Sequence, residues 1–267
     1  MSAAPIGIFD SGVGGLTVAA AVRRLLPNES IVYFGDTAHF PYGDKSVAAI
    51  QSYSVKIADV LLQQQCKMIL IACNSASSAA YQLVREYVGK KALVLNVIDP
   101  VVQYLGTHYA GKRIGLIGTK RTVASGIYRK KVDKLEVGID LRSLATPLLA
   151  PMIEEGFYNH TISRSIIQNY LQDVVLEEIA GLVLACTHYP LIKEEVAECL
   201  GANIPVIDGS EMVAQAVLQE LSLSGKENKG ARTTDAFYIS DFTKSFAESA
   251  RIFFGTELEV QAYPVWD

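Results

Sequence analysis

Two cysteines occupy matching places in this chain. Ile69-Leu70-Ile71-Ala72-Cys73-Asn74-Ser75 and Leu182-Val183-Leu184-Ala185-Cys186-Thr187-His188 each read as an apolar strand that ends at Ala-Cys and passes into small polar residues. A helix is expected after each, so that both thiols sit at the carboxyl end of a strand beside a helix N-terminus, where open α/β sheets hold ligands. The dipole and free N–H groups of such a helix favour a bound carboxylate and a thiolate alike. If the two halves face each other about a pseudo-twofold axis, the thiols lie on opposite sides of an interdomain cleft. That arrangement suits inversion of a stereocentre: one base removes the α-hydrogen from one face, and an acid on the other face returns a proton. A free thiol, with a pKa of about 8.5, needs only modest tuning for either role near neutral pH. Asp10, at the end of the first strand, and His188, two residues past Cys186, are expected to tune them, Asp10 serving Cys73 and His188 serving Cys186. Cys66 and Cys199 lack the strand-end position and read as core filler.

Other segments carry weaker chemistry. Asp10-Ser11-Gly12-Val13-Gly14-Gly15 follows a strand and opens a helix, and its glycines permit close backbone approach to an anion. The G-x-G-x-x-G spacing of a dinucleotide site is missing. Asp36-Thr37-Ala38-His39-Phe40-Pro41-Tyr42-Gly43-Asp44 is a loop whose backbone and Tyr42 hydroxyl could close over a polar ligand, although an ordinary turn reads equally well. Cys186-Thr187-His188 could supply zinc ligands or a Cys-His nucleophilic pair. Zinc needs further ligands at tight spacing, and no CxxC or HExxH occurs, so no metal is expected. A hydrolase leaves the second thiol unexplained. His39, His108 and His160 read as loop or surface residues.

The elements that must position these residues alternate as in a parallel sheet. Strand-like runs at Ile6 to Phe9, Ile31 to Phe34, Met68 to Ala72 and Leu93 to Ile98 flank a helical stretch, Ser46 to Gln65, with Ile50, Tyr53, Ile57 and Leu61 on one face. The pattern restarts with Arg113 to Ile117, a helix through Val123 to Leu135, a strand near Leu141 to Leu144, and Gly181 to Ala185. Val97-Ile98-Asp99 and Val206-Ile207-Asp208 mark plausible crossings between domains. The reading is α/β, with two similar parallel-sheet domains related by a pseudo-twofold axis and the active site between them. Residues 1–98 and 207–267, with final strands around Phe237 and Val260, form a discontinuous first domain carrying Asp10 and Cys73; residues 99–206 form the second, carrying Cys186 and His188. Ser224 to Thr234 reads as an exposed connection.

The chain has 267 residues, half of them apolar and 19% charged, enough for a substantial core. A net charge of -4 without a dense Lys/Arg run argues against nucleic acid as a partner. No basic leader and no membrane-length apolar stretch are visible, so no membrane association is expected and a cytoplasmic location is the default. Four scattered cysteines suggest reduced thiols rather than a disulfide scaffold.

The blocks Gly7 to Val18, Phe40-Pro41-Tyr42-Gly43, Ala72-Cys73-Asn74, Gly115 to Thr119, Pro147 to Gly156 and Cys186-Thr187-His188-Tyr189-Pro190-Leu191 stand in order, and together they resemble the bacterial glutamate racemases of the aspartate/glutamate racemase superfamily. The resemblance implies L- and D-glutamate as small-molecule substrate, no pyridoxal phosphate or other cofactor, no metal, a homodimer, and supply of D-glutamate for peptidoglycan. It implies that Cys73 deprotonates D-glutamate and Cys186 L-glutamate. It also implies binding by Asp10, Ser11, Pro41, Tyr42, Gly43, Asn74, Ser75, Thr187 and His188, with an electrostatic part for Glu154. Ser75 stands where the family usually has Thr, and His39 where Arg is commoner. The first motif begins close to Met1, so activation through an N-terminal extension, as some relatives show, is not expected. Aspartate or hydantoin racemisation, maleate isomerisation and a non-catalytic binding protein are the competing readings.

Overall fold

The computed structural model describes residues 3–242 and 244–266, with side chains for all of these except 244–248. Among the described residues ten strands form two sheets, and every pairing is parallel. The first lobe holds β1 (Ile6–Asp10), β2 (Ile31–Gly35), β3 (Met68–Ile71) and β4 (Leu93–Asn96); the second holds β5 (Arg113–Gly118), β6 (Asp140–Ala145), β7 (Leu182–Ala185) and β8 (Val206–Ile207). The chain then returns to the first sheet with β9 (Ala236–Ile239) and β10 (Val260–Ala262). The orders are β10-β9-β2-β1-β3-β4 and β6-β5-β7-β8. β1, β2, β3 and β7 are buried throughout, which is why, apart from Asp10 at the end of β1, they read as apolar runs without alternation.

Both sheets reverse their winding in the same way. From β1 the chain steps to β2 on one side and then crosses to β3 on the other; from β5 it steps to β6 and then crosses to β7. The crevice at such a reversal, beyond the carboxyl ends of the strands, is where ligands bind in open α/β sheets. Cys73 lies beyond β3 next to Asp10 on β1, where Phe9 pairs with Ile71. Cys186 follows β7 next to Thr119 beyond β5, where Gly118 pairs with Ala185. The echo seen in the sequence is therefore a shared topology.

Helices α1 (Leu16–Leu25), α2 (Val47–Gln63), α3 (Asn74–Val88) and α4 (Ile98–His108) belong to the first half of the chain. The Ser46 hydroxyl caps α2 by accepting from Ala49 N at 3.2 Å, where the sequence places the helix start. The helix expected through 123–135 is two, α5 (Lys120–Ser125) and α6 (Ile127–Asp133), because Gly126 adopts a left-handed conformation at φ 62° and ends the first. The later helices are α7 (Leu149–Glu154), α8 (Thr161–Leu171), α9 (Lys193–Leu200), α10 (Ser210–Leu223) and α11 (Lys244–Phe254). Val206-Ile207 is itself the edge strand β8 of the second sheet, and Asp208 follows it by capping Ser210.

One apolar cluster runs from Ile8 and Leu16 through Leu149, Ile153 and Tyr189, so the lobes share a core as well as facing each other. Cys66 packs against Gly7, and burial pushes its thiol up to about 12, as suits an inert filler. The connection at 224–234 is mostly exposed, as expected, but it is anchored at Asn228. Asn228 is buried and its N–H donates to Glu29 Oε1 at 2.7 Å, while Lys67 Nζ meets Glu29 at 2.6 Å and donates to Lys226 O at 2.7 Å. These are pairings between distant segments, which local composition does not record.

Candidate active site

A narrow cavity lies between the two sheets' carboxyl ends. Ser11, Pro41, Tyr42, Gly43, Cys73, Asn74, Ser75, Cys186, Thr187 and His188 line it together with Phe40, Thr119 and Ala150. It has room for little more than a water molecule. A wider surface hollow, with Arg85, Asn96, Asp99 and Glu220 on its walls, contains neither thiol.

Cys73 occupies the N-cap position of α3, with its Sγ 3.6 Å from Ser11 Oγ. Cys186 differs: a 3-10 turn, Tyr189–Ile192, separates it from α9, so the helix start expected beside it is displaced. A short 3-10 turn offers little of the dipole that α3 provides. The second thiol instead has the His188 imidazole, with Nδ1 at 3.9 Å. The opposite ring nitrogen, Nε2, meets the Glu154 carboxylate in a short contact. Rings of Phe40 and Phe253 flank His188 at centroid distances of 5.5 and 5.3 Å.

Asp10 lies beneath the cavity floor. Its Oδ2 accepts from Gly12 N at 3.0 Å and its Oδ1 from Thr187 Oγ1 at 3.3 Å, which ties the first lobe to the turn that carries Cys186. Thr17 Oγ1 adds a 3.2 Å bond to Thr187 O. Among the described residues Cys73 is hydrogen-bonded to Ser11, not to Asp10, so Asp10 acts on that thiol through its charge.

The Tyr42 hydroxyl is not free to donate to a ligand. It donates to Asp36 Oδ2 at 2.6 Å, and Asp36 also accepts from His39, from Ser240 Oγ at 2.8 Å and from Trp266 Nε1 at 2.8 Å. This buried carboxylate pins the loop 37–43 to the chain's final segment. His39 thus has a defined place, stacked on Tyr53 at 3.9 Å, rather than the unpartnered one its sequence suggests. Ser75 Oγ reaches Thr119 Oγ1 at 2.8 Å across the lobes, and Tyr128 donates to Asn74 Oδ1 at 2.7 Å. Sequence reasoning missed Phe40, Thr119, Tyr128, Ala150 and the role of Asp36; Phe40, Thr119 and Ala150 lie in the ordered blocks and Asp36 opens the loop singled out, while nothing along the chain signalled Tyr128.

The model for Asp/Glu/Hydantoin racemases matches residues 16–217. The chain belongs to this family. A glutamate racemase from Chlorobaculum parvum is 39% identical over 258 residues, covering 96% of this chain and 94% of the relative. The crystal structure of glutamate racemase from Francisella tularensis in complex with D-glutamate superposes with a TM-score of 0.92 at 34% identity, covering 100% and 99% of the two chains. A glutamate racemase isoform from Bacillus anthracis gives 0.93 at 31%, covering 99% of each.

For a racemase, the electrostatics of this cavity divide into two settings. Burial, followed by the charge of Asp10, pushes the Cys73 thiol well up, against the Ala76 N–H and the Ser11 hydroxyl. Burial likewise lifts Asp10 above the usual carboxylate range, while His188 and the N–H groups of Gly12 and Gly15 pull it down. For His188, burial opposes the imidazolium, but Glu154 and Cys186 outweigh it and carry the group well above the ordinary histidine range. The imidazole so charged has its Nδ1 3.9 Å from Cys186 Sγ.

Glu154→Gln is expected to move the His188 titration to lower pH, since removing the carboxylate's charge removes what favours the imidazolium. NMR titration of labelled histidine reads this directly. An unmoved His188 signal contradicts the role given to Glu154.

Proposed function

We propose that the chain interconverts L- and D-glutamate by two-base proton transfer at the α-carbon, and so supplies D-glutamate for peptidoglycan synthesis. The observation that carries this reading is the pair of thiols in one cavity, each beyond the end of a strand at the winding reversal of its own sheet. The named relatives select glutamate over the sister substrates.

In the proposed cycle, the thiolate of Cys73 takes the α-proton of D-glutamate. The C–H electron pair stays on the α-carbon, delocalised into its carboxylate, and the Cys186 thiol delivers a proton to the opposite face. L-glutamate leaves Cys73 as thiol and Cys186 as thiolate, the state that runs the reverse direction. Cys73 rests as thiol beside Asp10; a substrate ammonium group placed there offsets the carboxylate's charge and favours ionisation. His188 sets its charge beside Cys186, on the sulfur that gives up its proton in this direction. Ser11, Pro41, Tyr42, Gly43, Asn74, Ser75 and Thr187 surround the substrate, with Tyr42 contributing backbone and ring rather than its hydroxyl. The cavity is narrow, and the Ser75–Thr119 contact bridges the two lobes within its lining.

Incubation of L- and D-glutamate in deuterated buffer, with no added cofactor, is expected to place deuterium at the α-carbon from either enantiomer. Absence of exchange from both defeats the glutamate reading, while exchange of aspartate alone transfers the mechanism to a sister substrate. Among the described residues no helix is long and apolar enough to cross a membrane. The same proposal sets the enzyme in the cytoplasm as a homodimer, the latter measurable by light scattering in solution.

A further inference from the structure

Asn74 is the first residue of α3, directly after Cys73; it is buried and lines the cavity. A primary amide has an acceptor end and a donor end that point in different directions. The acceptor end is taken: Oδ1 receives the hydroxyl of Tyr128 at 2.7 Å. Tyr128 belongs to the other lobe, on α6, just past the left-handed break at Gly126. It belongs to the buried apolar cluster of that lobe, with Ile98, Val101 and Leu116, and its hydroxyl reaches Asn74 of the first lobe. Burial, and after it the charges of Asp99 and Cys186, keeps that hydroxyl protonated and therefore a donor. Among the described residues no group accepts from Asn74 Nδ2. A donor left over on a side chain that lines a cavity is suited to an acceptor in that cavity, and a carboxylate is the acceptor glutamate brings.

We infer that Tyr128 is a positioning residue for the substrate carboxylate: by occupying Asn74 Oδ1 across the lobe boundary, it holds the amide with Nδ2 toward the cavity. Because the Tyr128 hydroxyl comes from the second lobe, the orientation of the amide depends on how the two lobes are seated on each other. This inference rests on the racemase reading, because it takes glutamate to be the occupant.

The test is a double-mutant cycle in steady-state kinetics on the full chain, with Tyr128→Phe, Asn74→Ala and the double variant, measured well below the unfolding temperature of each. Tyr128→Phe keeps the ring and its packing while freeing the amide to turn. It is expected to raise KM for both enantiomers about 5- to 30-fold, with kcat changed by less than about 3-fold. In the Asn74→Ala background the same change is expected to have no further effect on KM. Asn74→Asp keeps an acceptor for Tyr128 but has no donor, and is expected to bind as weakly as Asn74→Ala. The inference is overturned by an unchanged KM in Tyr128→Phe, by additive losses in the cycle, by a loss confined to kcat, or by an Asn74→Asp variant that binds normally. Failure of the unaltered protein to racemise glutamate strikes the functional reading instead, and is seen before any variant is made.

Discussion

Cys73→Ser and Cys186→Ser are each expected to lower kcat for racemisation by about 10²–10⁴-fold, the range associated with loss of a positioned acid or base. Serine preserves the size and the local hydrogen-bonding character of each thiol, so the Ser11 contact to position 73 and the His188 contact to position 186 can persist. What disappears is ionisation near neutral pH: a hydroxyl cannot serve as the resting base. The variants should differ in what survives. In Cys186→Ser, Cys73 can still abstract the α-proton from the enantiomer that faces it, so elimination from a substrate analogue with a β leaving group continues for that enantiomer alone. Cys73→Ser should show the opposite preference. Racemisation at the unaltered rate in both variants ends the two-thiol mechanism. Loss of elimination with both enantiomers in either variant contradicts the facing geometry.

Gly14→Ala is expected to cost about 100-fold or more in kcat/KM, together with about 1–3 kcal/mol of stability from overpacking. A Cβ at position 14 lies 2.5 Å from His188 Nδ1 and 2.6 Å from both His188 Cε1 and Thr187 Oγ1. Neither neighbour can step aside cheaply. His188 is held by Glu154 on its far side and flanked by Phe40 and Phe253, and Thr187 is bonded to Asp10. The added methyl therefore displaces the imidazole from Cys186 or tilts the turn that carries both. Gly230→Ala provides the comparison, since its nearest neighbour, Asn228 Oδ1, lies 3.5 Å away. Kinetics in both directions with urea unfolding separate the two costs; activity within about twofold of the unaltered protein refutes the tight contact on which this prediction depends.

The glycine case shows how much of the site was open to reading along the chain. A glycine-rich turn after a strand announces close backbone approach, but the sequence suggested an anion as what approaches. In the fold, the group nearest Gly14 is the imidazole that serves the second thiol, brought from 174 positions away in the other lobe. His188 itself was legible because it lies two residues from Cys186, within reach of any turn. Its partner Glu154 was visible only through family resemblance, since α7 delivers it from a separate segment.

The sequence by itself determined the features that depend on near neighbours. Strand-end placement of Cys73 and Cys186, the parallel alternation, the cap of α2 and the glycine turn follow from residue type and short spacing, because burial and backbone sterics act locally. Only the tertiary structure decided which groups complete the site. Asp36 collects donors from His39, Tyr42, Ser240 and Trp266; Tyr128 turns Asn74; Thr119 meets Ser75; and Asp10 reaches Thr187 rather than Cys73. Each pairing joins side chains whose encounter, or whose choice among several partners, depends on how two sheets wind and close on a shared core. A hydrogen bond requires heavy atoms within about 3 Å, and no pattern along the chain specifies a distance of that size between lobes.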